Sequence, residues 1–310
     1  MDLAPIAIFT YKRPQHTRQL MLSLLENQEM RRSRVHVYSD GPKTVHDAPL
    51  VESTRAVIKS FRLPNLTITE RSRNMGLSGN VVDGVGQACA AHGRIIVLED
   101  DLQVSPTFLS FMNDALNRYR DAPEVMHVSG YMFPVRLRED TQAVFLPFIN
   151  VSGWATWERA WRRFDAAAAG YDQVARDPML RRAFDLDGKY YFFHMLELFK
   201  SGRIDSWAIR WYLTVFLQHG LAAYPAKSLV ENCGYDANGT HTTGPPPPHG
   251  RAKALAFRAT SLPEPVVDAA VYRRVRRLLA KEISLPNRVI GKMRQLWKAA
   301  GKKASGRNPL

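Results

Sequence analysis

The amino-acid sequence predicts an α/β fold in which a mostly parallel sheet is flanked by helices on both faces. Short apolar runs of strand length alternate with helical patterns along the N-terminal part of the chain, an order typical of parallel strands joined by helical crossovers. The composition agrees, because 45% of the 310 residues are apolar and 23% are charged. Such values describe a globular protein and exclude a disordered or fibrous one.

Four strands and their helices can be placed in order. The predicted strands are residues 5–10, 35–39, 66–69 and 94–98. A helical pattern follows the first strand at 20–25, and another follows the third at 81–91, where small residues indicate close packing against the sheet. A further helix is predicted to begin with Ser105 as its N-cap and Pro106 at its first position.

Polar side chains follow three of these strands at one edge of the predicted sheet. Tyr11-Lys12-Arg13 follows the first strand, Asp40-Gly41 the second and Glu99-Asp100-Asp101 the fourth. In parallel sheets ligands bind beyond the carboxyl ends of the strands. This edge is therefore the candidate functional site.

The acidic triplet is the most informative of these groups. Three consecutive carboxylates after an apolar strand repel one another and are costly to bury unless something binds them. Oxygen ligands of this kind suit Mg²⁺ or Mn²⁺, which also engage substrate phosphates. The alternative is a solvated loop, or a helix cap formed by Asp100 or Asp101. The sequence contains no glycine-rich phosphate loop, so metal and basic side chains would have to bind phosphates.

The second half of the sequence is rich in aromatic residues. Trp154, Trp157 and Trp161 have the spacing of one helix face. A core position is favoured for Trp157 and Trp161, whereas Trp154 follows a glycine and could equally meet the apolar face of a sugar. A later helix is predicted over 207–218, with Asp205 as its N-cap on the structural interpretation.

At these residues the chain resembles the GT-A glycosyltransferases, in particular bacterial family 2 enzymes and the eukaryotic β-1,2-N-acetylglucosaminyltransferase I family. The resemblance rests on residues 8–14, on Ser39-Asp40-Gly41 and above all on residues 96–108, and it continues at Gly153-Trp154 and Asp205-Ser206-Trp207. It implies a GT-A (Rossmann-like) domain over 1–250. Residues 1–110 would form the nucleotide-sugar half and 111–250 a helical acceptor half.

The resemblance also implies roles for individual residues. Asp101 would bind Mn²⁺ or Mg²⁺, and Asp205 would be the catalytic base that takes the proton of the acceptor hydroxyl. His241, in a glycine-rich loop, would be a further metal ligand, with a surface histidine as the alternative. The acceptor would contact Trp154 and Trp207. The implied nucleotide-sugar-binding residues are Thr10, Tyr11, Lys12, Arg13, Asp40, Asn74, Gly76, Glu99 and Asp100.

The net charge of +14 is concentrated at the C-terminus, because residues 271–310 alone carry twelve basic residues and one acidic residue. The near-neutral body argues against a basic groove, and no nucleic-acid partner is expected. Residues 251–310 are predicted to form a basic helical tail with helices at 268–283 and 287–300. The second is amphipathic and predicts binding to an anionic membrane surface. A helix docked on the body, or RNA binding, is the alternative.

The compartment follows from what the sequence lacks. Its two cysteines cannot form a disulfide framework, no apolar run reaches membrane-spanning length, and the N-terminus has no basic signal region. These features predict a cytoplasmic protein, peripheral on the inner membrane if the tail binds lipid.

The resulting functional prediction is a metal-dependent, inverting glycosyltransferase. It would move a hexosyl or N-acetylhexosaminyl group from a UDP-linked sugar to a hydroxyl of a glycan or lipid-linked acceptor, as in bacterial surface polysaccharide synthesis. Two alternatives remain: a sugar nucleotidyltransferase, which needs a glycine-rich loop after the first strand, and a non-enzymatic RNA- or membrane-binding module.

Overall fold

The computed structural model describes residues 3–235 and 252–283, which form an eight-stranded mixed sheet with helices on both faces. Strands and helices are numbered in chain order. In sheet order the strands are β3 (Leu66–Glu70), β2 (Val35–Ser39), β1 (Ile6–Thr10), β4 (Arg94–Glu99), β8 (Trp154–Trp157), β6 (Val125–Ser129), β9 (Leu221–Pro225) and β7 (Ala143–Leu146). Only β8 and β7 run against the others in this sheet. The predicted mostly parallel α/β fold is confirmed.

Ten helices and a second, two-stranded sheet complete the described fold. That sheet pairs β5 (Leu102–Val104) with β10 (Val230–Asn232) in antiparallel fashion. The helices are α1 (Pro14–Leu25), α2 (Ala48–Ser60), α3 (Gly76–His92), α4 (Phe108–Arg118), α5 (Glu158–Trp161), α6 (Tyr171–Arg176), α7 (Pro178–Phe184), α8 (Phe192–Lys200), α9 (Trp207–Leu217) and α10 (Ala269–Ile283). None of these described helices has the length and apolar character needed to cross a membrane.

The core has two layers, one on each face of the large sheet. In β1, Ile6 and Ile8 pack on the layer that contains α1 and α4, whereas Ala7 and Phe9 pack on the layer that contains α3. Because successive side chains of a strand point to opposite faces, a strand buried on both sides reads as a continuous apolar run. Helix α3 packs closely, since a Cβ on Gly84 would lie 2.8 Å from the ring of Phe9.

Two predicted helix positions are wrong. Helix α4 begins at Phe108 with Thr107 at the N-cap, so Ser105 and Pro106 precede it. The segment Trp154–Trp157 is strand β8 rather than helix, and the helix begins only at Glu158. Trp154 and Trp157 therefore lie in a strand, and only Trp161 lies in the helical turn.

Residues 252–283 pack on the body rather than standing apart from it. Val271, Val275 and Leu279 of α10 are buried against it. The backbone N–H of Asp268 donates to the carbonyl oxygen of Phe145 in β7, at 3.1 Å. The first predicted tail helix is thus a docked helix with a basic outer face. The second, over 287–300, lies outside the described residues.

Candidate functional site

Polar residues at the carboxyl ends of β1, β2 and β4 meet at one rim of the sheet, as their parallel pairing requires. The N–H of Asp40 donates to the carbonyl oxygen of Thr10 at 2.9 Å, and the N–H of Asp100 donates to that of Phe9 at 3.1 Å. The side chain of Thr10 is buried, and its Oγ1 has no hydrogen-bond partner in the described structure. The sequence-based expectation of a polar rim is confirmed.

The acidic turn Glu99–Asp101 lies between β4 and β5. Asp100 Oδ2 accepts a hydrogen bond from the N–H of Tyr11 at 3.1 Å. Arg13 Nη1 lies 3.1 Å from Asp101 Oδ2 and 3.7 Å from Asp100 Oδ1. The guanidinium of Arg13 therefore lies against two of the three carboxyl groups of the turn.

Burial and charge repulsion raise the pKa values of the Glu99 and Asp100 carboxyl groups. Burial, followed by the charges of Asp101 and Asp100, raises the pKa of Glu99 to about 8. Burial and the charge of Asp101 raise the pKa of Asp100 to about 7, against the smaller opposing effect of Arg13. When these groups are ionised, their negative charges repel one another, which is the situation a bound cation relieves.

The acidic turn fits a divalent cation as one part of a larger coordination shell. Carboxylate oxygens are the hard ligands that Mg²⁺ and Mn²⁺ prefer. Over residues 3–235 and 252–283, no three His, Cys, Asp or Glu side chains converge as a ready-made metal site. A cation held by Asp101 would take its remaining ligands from substrate phosphates and water. The predicted ligand His241 lies outside the described residues.

The chain that follows β10 closes over the acidic turn. The N–H of Cys233 donates to the carbonyl oxygen of Asp101 at 2.7 Å. Gly234 approaches so closely that a Cβ there would lie 2.4 Å from Asp101 Oδ2. Any larger residue at this position would displace the carboxylate. Sequence reasoning missed this contact, because 133 positions separate the two residues.

Tyr11 and Lys12 are held by a residue that the sequence did not single out, Asp47. Asp47 Oδ2 accepts from the hydroxyl of Tyr11 at 3.0 Å, and Oδ1 accepts from Lys12 Nζ at 2.5 Å. Thr44 donates to Oδ2 through both its N–H and its hydroxyl. The ammonium of Lys12 is the main cause that holds the pKa of Asp47 well below its usual range. Asp47 thus fixes the β1–α1 connection to the loop after β2.

Asp40 organises the turn that leads into α3. Its Oδ1 accepts from the N–H of Gly41 at 2.9 Å and of Met75 at 2.8 Å, and its Oδ2 accepts from Asn74 Nδ2 at 3.0 Å. Gly76, the first residue of α3, has a φ of +72° that favours glycine. Three predicted donor-site residues, Asp40, Asn74 and Gly76, therefore share one local structure at the rim.

Asp205 is not the N-cap of α9. The cap is Ser206, whose hydroxyl accepts from the N–H of Ile209 at 3.4 Å. The side chain of Asp205 is 68% exposed, and its Oδ1 accepts from Arg210 Nη2 at 3.0 Å. In the described structure its second oxygen, Oδ2, accepts no hydrogen bond. An exposed carboxylate held at one oxygen and open at the other suits a group that receives a proton.

Arg210 connects Asp205 to the helix that begins beside Asn74. Its Nη2 also donates to the hydroxyl of Ser78 in the first turn of α3, and its Nη1 donates to the carbonyl oxygen of Ala166 at 3.1 Å. The guanidinium lies over the ring of Phe199, 4.7 Å from its centroid. Burial lowers the pKa of Arg210 despite the nearby carboxylate of Asp205. These contacts join Asp205 to the first turn of α3.

Trp154 and Trp207, the two predicted acceptor contacts, lie in the core. They are 0% and 3% exposed, and their rings stack with centroids 5.1 Å apart. Trp154 also stacks on His127, at 5.3 Å. Neither indole offers a surface to an acceptor in this conformation, because each is covered by other aromatic rings.

Comparison with known proteins gives matches among solved structures alone. No protein-family model and no curated protein matches the chain. One match is the crystal structure of S. aureus TarS 1–349, with 10% identity, a TM-score of 0.39, and coverage of 74% of this chain and 60% of that one. Another is GalNAc-T7 with UDP, GalNAc and Mn²⁺, with 13% identity, a TM-score of 0.37, and coverage of 53% and 37%. The chain thus spans less than two thirds of either protein, and similarity this low assigns no residue a role.

Proposed function

We propose that this protein is a metal-dependent, inverting glycosyltransferase that uses a nucleoside diphosphate sugar, with UDP as the nucleotide. The observation that carries the proposal is the acidic turn Glu99–Asp101, which lies against the guanidinium of Arg13 at the carboxyl ends of parallel strands, the edge where such sheets bind ligands. The resemblance of this turn and its flanking residues to the GT-A glycosyltransferases adds the reaction class.

On the donor side, different residues of the rim bind different parts of the nucleotide sugar. Asp101 would hold the cation, and the chemistry supplied there would be neutralisation of the negative charge that develops on the leaving diphosphate. Arg13, which pairs with Asp101 at 3.1 Å, then contacts the phosphates together with Lys12. Glu99 and Asp100 face the ribose and the donor sugar. The nucleotide base binds the turn that Asp40 organises, with Tyr11, Thr10, Asn74 and Gly76.

On the acceptor side Asp205 acts as the general base. The acceptor hydroxyl gives its proton to Asp205 Oδ2, and its oxygen forms the new bond to the anomeric carbon. The bond from that carbon to the diphosphate breaks on the opposite face, and the nucleoside diphosphate leaves with the electron pair. This displacement inverts the anomeric centre. Arg210 is a positioning residue that holds Oδ1 at 3.0 Å.

Calorimetric titration of the full chain with UDP tests the donor side. We expect binding in MnCl₂ and its loss in EDTA. Asp101→Asn should weaken binding by more than the roughly 10- to 100-fold that loss of an outer-shell partner costs. Asp140→Asn, which removes an exposed carboxylate paired with Arg138, is the matched control and should bind as the parent does. Equal UDP binding with and without metal would contradict the proposal.

A sugar nucleotidyltransferase is less well supported by this site. The β1–α1 connection, Tyr11–Arg13, contains no glycine to cradle a triphosphate. Incubation with UTP and a panel of sugar 1-phosphates separates the two reactions. Release of pyrophosphate would favour the nucleotidyltransferase.

We propose further that the basic C-terminal region, residues 251–310, associates with an anionic membrane surface and brings the enzyme to a glycan or lipid-linked acceptor, as in surface polysaccharide synthesis. Arg273, Arg274 and Arg277 form the exposed face of α10. Residues 284–310 add seven basic residues and no acidic one. Each cation near an anionic surface contributes about 1 kcal/mol.

Truncation after residue 283 tests this association while keeping α10 docked. Binding to vesicles that contain phosphatidylserine should fall sharply in the truncated protein, and UDP binding should stay unchanged. Vesicles of phosphatidylcholine alone are the control. Unchanged binding to anionic vesicles would show that residues 284–310 are not the membrane-binding element.

A further inference from the structure

A mostly apolar cleft of about 180 Å³ opens between α8, α9 and α10, away from the acidic turn. Residues from five separate parts of the chain line it. Among them are Phe133, Phe148, Phe192, Met195, Tyr212 and Leu279. An engineered apolar cavity of ~150 Å³ binds benzene, so this cleft has the volume of about one aromatic ring.

The cleft begins beside the proposed catalytic base. Ala208 and Ile209, in the first turn of α9, line it. Asp205 precedes Ala208 by three residues, and three residues of even fully extended chain span no more than about 11 Å. One or two sugar residues can bridge such a distance. A molecule with its reactive hydroxyl at Asp205 can therefore place an adjacent group in the cleft.

One polar side chain faces this otherwise apolar lining. Asn150 Oδ1 accepts from the N–H of Ser152 at 2.9 Å, which fixes the orientation of the amide. Its NH₂ group donates to no acceptor in the described part of the chain. Binding sites for small molecules typically combine apolar walls with a few such polar groups.

The apolar surface continues outside the cleft. Tyr191 is 38% exposed and stacks on Tyr190, a lining residue, with ring centroids 4.4 Å apart. An apolar group longer than one ring would therefore leave the cleft over the ring of Tyr191. Leu279 of α10, which also lines the cleft, is 3% exposed.

We propose that this cleft binds the apolar aglycone of the acceptor, so that the substrate is a glycoside bearing an aromatic or branched hydrocarbon group rather than a free sugar. This inference rests on the proposed function, because the cleft and Asp205 would serve one acceptor. Asn150 donates a hydrogen bond to the linkage between sugar and aglycone. The cleft walls bury the aglycone and select for it.

Binding of matched glycosides to the full chain tests the cleft without requiring turnover. The probes are phenyl and methyl β-glycosides of glucose, galactose and N-acetylglucosamine, with Kd values from NMR titration. For at least one sugar, we expect the phenyl glycoside to bind about tenfold more tightly than its methyl counterpart, as burial of an apolar ring predicts. Equal affinities, or no binding of any phenyl glycoside, would overturn the proposal.

Two variants alter the cleft in opposite directions. Ala208→Phe fills it and should abolish the phenyl preference, whereas Met195→Ala enlarges it and should shift the preference toward a 2-naphthyl glycoside. Ala270→Phe, at an exposed position of α10, is the matched control and should behave as the parent. If Ala208→Phe does not fold, Met195→Ala still decides the matter. A phenyl preference that neither variant changes would place the ring elsewhere.

A crystal of the protein with a p-bromophenyl glycoside locates the ring directly. The anomalous bromine signal should lie between Ala208 and Leu279. A signal at any other position would refute the proposed cleft. UDP binding in MnCl₂, measured on the same preparations, separates the two proposals. Absence of UDP binding would contradict the glycosyltransferase function. A bromine signal outside the cleft would contradict only the aglycone site.

Discussion

The two halves of the large sheet differ in what they place beside their strands. In the half formed by β1 to β4, parallel strands end in charged side chains, among them Asp40 and Asp100. In the half formed by β6 to β9, two strands run in the opposite direction, and the space between sheet and α9 holds stacked aromatic rings such as Trp154 and Trp207. Charged side chains are thus concentrated at the rim of the first half, whereas the second half holds an aromatic core on which α9 packs.

A variant of the proposed base, Asp205, gives the strongest test of whether the second half of the sheet contributes a catalytic residue. Asp205→Asn should reduce transfer to an acceptor by about 10²–10⁴-fold, because no group then accepts the hydroxyl proton. Binding of UDP in MnCl₂ should stay at the parental value, since the rim of the first half is untouched. Parental turnover in this variant would show that Asp205 is not the base. The second half would then contribute no proposed catalytic residue.

Substitution of Trp154 tests whether its indole stabilises the core or binds the acceptor. Trp154→Ala should lower the free energy of unfolding by about 3–5 kcal/mol, as for other large-to-small core changes, whereas Trp154→Phe should cost less. Urea denaturation measures both. An Ala variant with parental stability but weakened acceptor binding would instead make the indole part of the acceptor site.

His127, in the aromatic half, makes the free energy of unfolding depend on pH. Burial lowers its pKa to about 3, and its neutral ring donates from Nε2 to the carbonyl oxygen of Asn150 while Nδ1 accepts from Trp211 Nε1. In the unfolded chain the pKa is about 6.5. Since the unfolded state then binds the proton more strongly, stability is complete above pH 6.5 and is lost as the pH falls toward 3.

Between pH 7.5 and 5 this single group should therefore lower the free energy of unfolding by about 2 kcal/mol. His127→Gln has no such proton to bind, so its stability should fall by that much less over the same interval. Chemical denaturation at the two pH values gives both numbers. Parallel losses in the two proteins would show that the histidine is not a neutral core residue.

The smallest expected effect concerns Arg210, whose contacts join the two halves of the sheet. Arg210 joins Asp205 to Ser78, so Arg210→Lys should lower transfer by weakening the hold on Asp205. In a double-mutant cycle with Asp205→Asn, we expect a coupling energy of about 0.5–3 kcal/mol in turnover. Additive effects would mean that Arg210 acts on the fold alone.

The first half of the fold was predictable because its strands are buried on both faces. The apolar run at 94–98 and the acids that follow it define β4 and its turn almost to the residue. The pairing of parallel strands then brings the ends of β1, β2 and β4 together without further information. A signal that lies within a few neighbouring residues is readable from one sequence.

The second half was harder, since its signals are ambiguous or distant. The spacing of Trp154, Trp157 and Trp161 fits one helix face, yet a strand followed by a helical turn produces it as well. Asp205 and Ser206 are both good N-cap residues, and only the geometry selects Ser206. Contacts such as Asp47 with Lys12, 35 positions apart, depend on tertiary structure that no local pattern encodes.

The small sheet formed by β5 and β10 also fixes the order in which a growing chain can complete its rim. All four strands of the parallel half have left the ribosome once residue 99 is clear of the exit tunnel, and they can begin to pair. The acidic turn must wait for residues 230–232 and for Cys233, more than 125 positions later. Such non-local pairing is slow compared with local structure. During synthesis, therefore, the strands of the parallel half can pair first, and the contacts that close the acidic turn become possible only after residue 233 has left the tunnel.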